Sequence, residues 1–314
     1  MKTVLLFSGQ GAQRPGMGLD FMADPLFKEV IEQASLASKK DILTIFKSEN
    51  EELNKTVNVQ PALVAFEAGI YQMLQRDWPD LQIQGMIGLS LGEYSAMFAS
   101  GALDLENTIS LVSDRARYMQ EDANQVTSAM VAVLKPQTSK IETLLTELQQ
   151  EGEKVFIANY NSPSQIVISG EKEAVKQAST LITEEKLAAR LIELEVNGAF
   201  HTPLFTKASQ KMHERLNKVS FSKNQIPVIS NTTAVAFKDN WDLIMEKQLM
   251  KPTHFGACLQ YLLEQEDIDT AIEIGPGKTL SLFAKQVNRK LKRYQLGKYK
   301  DYQKFIEEKD GIKG

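Results

Sequence analysis

Short apolar runs that alternate with helical patterns constrain the fold of this chain more than any other feature. The run Val4–Phe7 leads into a glycine-rich loop, and a second run over residues 83–89 leads through Ser90 into a helical pattern. Two more runs, over residues 226–230 and 271–275, are each followed by helical patterns. Strands that alternate with helices favour an α/β fold built on a largely parallel sheet.

The middle of the chain has a different rhythm. The predicted elements there are, in order, the strand MVAVL (130–134), the helix TSKIETLLTELQQEG, the strands KVFIANYN and QIVISG, the helix EKEAVKQASTLITEE and the strand AARLIELEV. The order β-α-β-β-α-β is that of the ferredoxin-like unit. We therefore predict a core made of residues 1–124 and 196–314, and a small inserted subdomain over residues 125–195.

The composition excludes several classes of protein. The 314 residues are 43% hydrophobic and carry a formal net charge of −4, which is ordinary for a globular protein and argues against nucleic-acid binding. No segment approaches the run of about 18 apolar residues that spans a bilayer. The single cysteine, Cys258, excludes an internal disulfide framework and a cysteine-based zinc cluster. We expect a cytoplasmic protein that binds neither nucleic acid nor membrane and holds no metal.

The segment Gly88–Gly92 has the pattern G-x-S-x-G between a strand and a helical pattern. That context is the one that a nucleophile elbow requires. A serine on such a tight turn has an exposed Oγ, and the two glycines let the strand and the helix cross closely. The helix N-terminus points at Ser90, and the Leu91 amide is placed to bind an oxyanion. The pattern therefore predicts catalysis by Ser90.

A serine nucleophile needs a base, and the chain has three histidines. His213 lies among polar residues of a helical pattern, which favours a solvent-exposed position. His254 opens a helix and is either a neighbour of the helix cap or part of a pocket wall. His201 lies in a loop between a strand and a helix that Pro203 starts, and such loops gather at the active-site edge of α/β enzymes. It is the best base candidate.

No acidic residue stands out as the third member of a catalytic triad. In α/β-hydrolases the histidine comes near the end of the chain, after the acid, whereas more than a hundred residues follow His201. We therefore expect a Ser–His pair whose imidazole is oriented by a backbone carbonyl or amide.

Two glycine-rich stretches fail as nucleotide-binding motifs. Gly9–Gly11 begins G-x-G-x-x-G, but Arg14 takes the place of the last glycine, and Gly275–Thr279 ends like a P-loop, but Ile272 takes the place of its first glycine. Gln10 has another use, because its side-chain amide or the adjacent backbone is placed to face a developing oxyanion.

Two arginines, Arg115 and Arg117, lie in the helical segment LVSDRARYMQ. Either both are exposed to solvent, or one points into the pocket and pairs with a carboxylate, for which the guanidinium group is well suited. Their spacing does not distinguish these possibilities.

Seven motifs occur in the order seen in malonyl-CoA:acyl-carrier-protein transacylases of type II fatty acid synthesis, and this resemblance covers nearly the whole chain. The motifs are FSGQGAQ (7–13), GLSLGEYSA (88–96), RARYMQ (115–120), NYNSP (159–163), GAFHTP (198–203), QLMKP (248–252) and EIGPGK (273–278). The resemblance implies a hydrolase-like α/β core with the ferredoxin-like insertion. It also implies malonyl transfer from malonyl-CoA to the phosphopantetheine thiol of acyl carrier protein, through a malonyl-serine, for fatty acid biosynthesis. We expect a monomer without a cofactor of its own.

The same resemblance assigns roles to individual residues. Ser90 would be the nucleophile and His201 its general base and acid. Gln10 and the Leu91 amide would form the oxyanion hole, and Arg115, rather than Arg117, would hold the malonyl carboxylate. The remaining residues assigned to substrate binding are Gln248, Phe200 and Asn161. Of these, the Gln248 segment would help to orient the imidazole, and Phe200 matches the malonyl-selective version of its loop. Leu89 departs from the histidine that many members carry.

Two other functions remain open at this point. A serine hydrolase or acyl-thioesterase would use the same Ser90 and His201, and a catalytically idle scaffold would only bind carrier protein or CoA. Arg115 favours the transferase, because a general hydrolase has no need of a malonate-binding arginine. The segment Lys285–Lys304 is rich in Lys and Arg; it is either a solvated surface or, within residues 285–300, a docking surface for the acidic carrier protein.

Overall fold

The computed structural model describes residues 1–196 and 198–312, with side chains through residue 309. The strands are β1 (Lys2–Phe7), β2 (Gln82–Gly88), β3 (Ser128–Leu134), β4 (Val155–Ser162), β5 (Gln165–Glu171), β6 (Arg190–Glu193), β7 (Val228–Ile229), β8 (Thr270–Ile274) and β9 (Lys292–Gln295). The α-helices are α1 (Pro25–Ser38), α2 (Ile42–Lys47), α3 (Thr56–Asp77), α4 (Gly92–Ala99), α5 (Leu105–Ala123), α6 (Thr138–Gln150), α7 (Lys172–Glu184), α8 (Thr206–Leu216), α9 (Trp241–Gln248), α10 (Phe255–Gln265), α11 (Thr279–Val287) and α12 (Tyr299–Ile312). Short 3-10 helices cover Leu19–Phe21, Glu52–Asn54 and Pro203–Phe205.

The larger sheet has five strands in the order β7-β2-β1-β8-β9, and all of its pairings are parallel. Alternate residues of the central strand β1 point to opposite faces. Leu5 and Phe7 belong to the hydrophobic cluster that includes helices α1, α3 and α5, while Val4 and Leu6 belong to the cluster that includes α10 and α11. Helices on both faces explain why these strands read as continuous apolar runs. The predicted parallel α/β fold is confirmed.

The smaller sheet has four strands in the order β4-β5-β3-β6, and its pairings are antiparallel. Helices α6 and α7 pack on it and on each other, around a separate hydrophobic cluster. The chain order β-α-β-β-α-β with this strand order confirms the ferredoxin-like unit. The exact division of the chain at residues 125 and 195 stays a prediction.

Two details differ from the sequence interpretation. Helix α3 begins at Thr56 rather than at Pro61, which lies inside it. The first turn forms before the proline because the Asn58 and Val59 amides both bond the Lys55 carbonyl. The segment Lys285–Lys304 is not only a solvated surface, since it contains β9 and the start of α12, and its residues Leu296 and Tyr302 are buried. No described helix is long and apolar enough to cross a membrane.

Candidate active site

The turn between β2 and α4 holds Ser90 in a left-handed backbone conformation, with φ of 53°. The glycines on either side allow the close crossing of strand and helix. A Cβ on Gly88 would lie 1.9 Å from the Gly92 carbonyl carbon, and a Cβ on Gly92 would lie 2.2 Å from the Phe7 carbonyl oxygen. Only glycine fits at either position, because in both cases the obstacle is backbone. The strand-turn-helix context predicted for Ser90 is present.

Asn231 fixes this turn from the neighbouring strand end. Its Oδ1 accepts the Ser90 backbone N–H at 2.7 Å, and its Nδ2 donates to the Gly88 carbonyl at 2.7 Å. Asn231 is completely buried and follows β7, which is paired with β2 in the parallel sheet. The sequence analysis missed this residue. Its place just after a strand of the parallel sheet was the available signal, because such strand ends share one edge.

The structure brings His201 and Ser90 together across 111 residues of chain. His201 Nε2 lies 2.7 Å from Ser90 Oγ, and His201 Nδ1 lies 2.8 Å from the Gln248 carbonyl oxygen. Because a carbonyl only accepts, Nδ1 carries the proton and Nε2 is free to accept the Ser90 hydroxyl proton. His201 follows β6, which belongs to the antiparallel sheet. It therefore does not reach the site from the end of a parallel strand, as the sequence had suggested.

Burial sets the protonation state of the imidazole. It lowers the pKa of His201 to about 4, and the charge of Arg115 acts in the same direction. Hydrogen bonds with the backbone of Gln248 and Lys251 oppose the shift. His201 is therefore neutral at pH 7, as a general base must be.

Arg115 is only 1% exposed and reaches the nucleophile. Its Nη2 donates to Ser90 Oγ and to Gln248 Oε1, both at 3.1 Å, and its Nη1 donates to Gln60 Oε1 at 2.8 Å. Within the described part of the chain, its Nε has no hydrogen-bond partner. Arg117 is on the outside, with its side chain 53% exposed and bonded to Asp114. Of the two arginines, Arg115 is thus the one that points into the pocket, and its pairing with a substrate carboxylate stays a prediction.

The two oxyanion-hole candidates lie at neighbouring strand ends. The Gln10 side chain is engaged elsewhere, because its Nε2 donates to Thr56 Oγ1 at 3.3 Å and its Oε1 accepts from Gln60 at 3.2 Å. Within residues 1–196 and 198–312, neither the Gln10 nor the Leu91 backbone N–H has an acceptor. Of the two options that the sequence offered for Gln10, this geometry favours the backbone amide.

Ser90, His201 and Arg115 open onto a cavity of about 520 Å³ between the two sheets. Leu89, Phe200 and Asn161 are among the residues that line it. Phe200 packs on Phe205 with ring centroids 5.3 Å apart. The Asn161 side chain is buried, and its Oδ1 lacks a hydrogen-bond partner among the described residues.

Gln248 lies beside His201, and its backbone carbonyl oxygen is 2.8 Å from the imidazole Nδ1. It is completely buried and is absent from the described residues that line the cavity. Its carboxamide lies behind Ser90, where Nε2 donates to the Ser90 carbonyl at 2.9 Å and to Glu93. In the described structure its carboxamide bonds only protein groups, and direct binding of substrate by Gln248 stays a prediction.

The comparisons with known proteins agree with this geometry. A family model for the acyl transferase domain matches residues 4–306. The chain belongs to the acyl transferase family. The acyltransferase is 38% identical over 299 residues to a malonyl CoA-acyl carrier protein transacylase of Bacillus subtilis, a match that covers 93% of this chain and 92% of that protein. This match confirms the resemblance drawn from the seven motifs.

Solved structures give the same result. The crystal structure of MCAT from Streptococcus pneumoniae superposes on the acyltransferase with a TM-score of 0.92 and 40% identity, covering 98% of this chain and 100% of that one. A second structure, with a TM-score of 0.93 and 30% identity, covers 98% of this chain and 99% of its own. It is described as a type II PKS acyl-carrier protein in complex with its malonyl-transacylase.

The other two histidines of the acyltransferase lie outside the site. His213 Nδ1 pairs with Glu246 at 2.8 Å on the surface, and His254 stacks on Tyr160 with ring centroids 4.9 Å apart. The part of the chain that the structure describes contains no group of three or more His, Cys, Asp or Glu side chains that could hold a metal ion.

Gln60 is a further site residue that the sequence analysis missed. It lies in the first half of α3 and connects Arg115 with Gln10 through its carboxamide. Gln60 is fully buried. The sequence did not indicate this, because the helix was expected to begin at Pro61 and Gln60 was therefore placed outside it.

Proposed function

We propose that the acyltransferase moves the malonyl group from malonyl-CoA to the phosphopantetheine thiol of an acyl carrier protein, through a malonyl-Ser90 intermediate. One observation carries the proposal: Ser90 Oγ is held between a neutral imidazole at 2.7 Å and a buried guanidinium at 3.1 Å. The first arrangement activates a nucleophile, and the second provides a positive charge where an acyl group would carry a carboxylate. The names of the similar proteins support the same substrates.

In the first half-reaction, His201 Nε2 takes the Ser90 hydroxyl proton as Oγ attacks the thioester carbonyl. The negative charge that forms on the carbonyl oxygen is stabilised by the Gln10 and Leu91 backbone N–H groups. When the C–S bond breaks, the CoA sulfur takes the proton from His201. Malonyl-Ser90 and free CoA are the products, and His201 is neutral again.

The second half-reaction repeats this sequence with the carrier protein. His201 Nε2 takes the proton of the phosphopantetheine thiol, and the sulfur attacks the ester carbonyl of malonyl-Ser90. The bond between the acyl carbon and Oγ breaks, and Oγ takes the proton back from His201. The result is ping-pong transfer of the acyl group, with no net proton change.

Arg115 gives the site its preference for malonyl. Its present hydrogen-bond acceptors are the neutral oxygens of Ser90, Gln60 and Gln248. A malonyl carboxylate supplies a charged partner in a buried site, whereas an acetyl group leaves the guanidinium charge unpaired. Acetyl-CoA is therefore expected to be a poor donor.

The test follows the fate of the acyl group. The protein is mixed with labelled malonyl-CoA, and holo acyl carrier protein is added after the adduct has formed. Label that moves from Ser90 to the carrier supports the proposal. Release as free malonate with the carrier present indicates a hydrolase, and the absence of any adduct contradicts both enzyme functions. Light scattering of the same sample tests the proposed monomer.

A further inference from the structure

Glu93 is a buried carboxyl that the reaction above does not use. It lies in the first turn of α4, three residues after Ser90, and is completely buried. Its Oε1 accepts the Asn231 backbone N–H at 2.6 Å, and its Oε2 accepts Gln248 Nε2. Glu93 therefore links two residues that lie on different elements of the fold.

Both of these partners hold reacting groups. The Asn231 side chain fixes the turn that carries Ser90. The Gln248 backbone carbonyl accepts a hydrogen bond from His201 Nδ1–H. Its Nε2 donates to the Ser90 carbonyl, and its Oε1 accepts from Arg115. A displacement of Asn231 and Gln248 would thus move Ser90, His201 and Arg115.

Both hydrogen bonds to Glu93 come from N–H donors, so the ionised carboxylate satisfies both without rearrangement. Protonation of either oxygen would place an O–H group against an N–H donor and weaken that hydrogen bond. Taking the proposed function as given, we propose that Glu93 acts as a carboxylate that positions Asn231 and Gln248, and through them Ser90 and His201. It is a positioning residue, because among the described residues its carboxyl group bonds these supporting groups and does not line the cavity.

Of Glu93 and the titratable groups that face it, Glu93 is the one whose pKa lies near neutrality. Burial raises the pKa of Glu93 to about 7, although hydrogen bonds from Gln248 and Asn231 and the charge of Arg115 on α5 oppose the shift. Burial also raises the pKa of Tyr94 on α4 to about 12 and that of the Cys258 thiol on α10 well above its usual range. Tyr94 and Cys258 therefore stay neutral near pH 7.

The Glu93→Gln variant tests the proposal. The oxygen of the new glutamine can accept from one of the two donors, but its NH2 group then faces the other donor. The Gln248 carboxamide cannot rotate by 180° to relieve this clash, because its hydrogen bonds with Arg115 and the Ser90 carbonyl fix its orientation. We expect the plateau of kcat/KM for malonyl transfer to fall about tenfold to a hundredfold. The acidic limb of the wild-type pH profile, expected near pH 7, should move towards the lower pKa of His201.

Two other variants serve as controls. Glu67→Gln changes another completely buried carboxyl, on α3, and its profile should keep the wild-type limb. Glu93→Asp keeps both acceptor oxygens, so it should recover part of the rate and keep an acidic limb, displaced from the wild-type pH because Asp has a lower intrinsic pKa than Glu. A loss of rate by general destabilisation would lower the plateau of Glu93→Gln without moving the limb.

The outcomes are distinguishable. If wild-type protein forms no malonyl-Ser90, the proposed function itself is overturned. If it forms the adduct and Glu93→Gln keeps the wild-type limb, only the role of Glu93 is overturned. Circular dichroism establishes whether Glu93→Gln folds. If it does not, Glu93→Asp decides: a limb shifted from the wild-type position supports the role, and an unshifted limb contradicts it.

Discussion

Replacement of Arg115 by alanine separates acyl selectivity from the general chemistry of the site. The variant removes the hydrogen bonds that Arg115 donates to Gln60, Gln248 and Ser90, with donor–acceptor distances of 2.8 to 3.1 Å. That loss affects every acyl donor, because it changes the free enzyme. The contact with a carboxylate is lost only for malonyl-CoA, so the ratio of kcat/KM for malonyl-CoA to kcat/KM for acetyl-CoA isolates it.

The size of the effect follows from the hydrogen bonds involved. A bidentate guanidinium–carboxylate pair has two charge-assisted hydrogen bonds, each worth about 1.5–3 kcal/mol. Their loss costs about 3–6 kcal/mol of transition-state stabilisation, which lowers the malonyl-to-acetyl ratio by roughly 10²- to 10⁴-fold. The burial of Arg115, which is 1% exposed, favours the upper half of that range.

The assay measures the transfer of each labelled acyl group to holo acyl carrier protein under initial-rate conditions. Arg117→Ala is the matched control, since Arg117 lies on the same helix but is 53% exposed and pairs with Asp114 and Glu121. It should leave the ratio unchanged within about twofold, as expected for exposed ion pairs. Equal losses of malonyl and acetyl transfer in Arg115→Ala would refute the assignment of Arg115 to the carboxylate.

Two further predictions concern the stability of the fold. Gly88→Ala should lower the free energy of unfolding in urea by more than about 3 kcal/mol, because its Cβ would lie 1.9 Å from a backbone atom. Gly277→Ala is the control and should leave the free energy of unfolding nearly unchanged, because its Cβ would lie 3.6 Å from the nearest atom. Similar losses in both variants would contradict the account of the turn. Since the pKa of His201 falls from 6.5 to about 4 on folding, the unfolded chain takes up its proton first as the pH is lowered. Wild type should therefore lose about 3 kcal/mol of stability relative to His201→Gln between about pH 6.5 and pH 4, whereas a pH-independent difference would show that His201 is not held neutral.

The local parts of the site were predictable from sequence because short-range geometry determines them. The Ser90 turn needs only a strand, a helix and glycines at Gly88 and Gly92, all within one stretch of chain. The choice of His201 rested on there being three histidines and on its loop position, although the strand before it belongs to the antiparallel sheet. The α/β alternation and the ferredoxin-like unit were likewise visible as local patterns.

The supporting residues could not be predicted in the same way. Asn231 acts on Ser90 from 141 residues away, and Gln60 meets Arg115 from 55 residues away. Neither residue lies in a recognisable motif, and only Asn231 had a positional signal, its place just after a strand of the parallel sheet. The buried position of Glu93 is also a tertiary fact, since a glutamate in the first turn of a helix is usually explained by the helix dipole.

The central claim is that Ser90, activated by His201, carries the malonyl group between donor and carrier. Its most direct test is rapid mixing with malonyl-CoA in the absence of carrier protein, followed by acid quench and peptide mapping by mass spectrometry. The account predicts one malonyl group on the peptide that contains Ser90, at a rate sharply reduced in His201→Ala, and no adduct in Ser90→Ala. A malonyl group on another residue, or an equally fast adduct in Ser90→Ala, would contradict it.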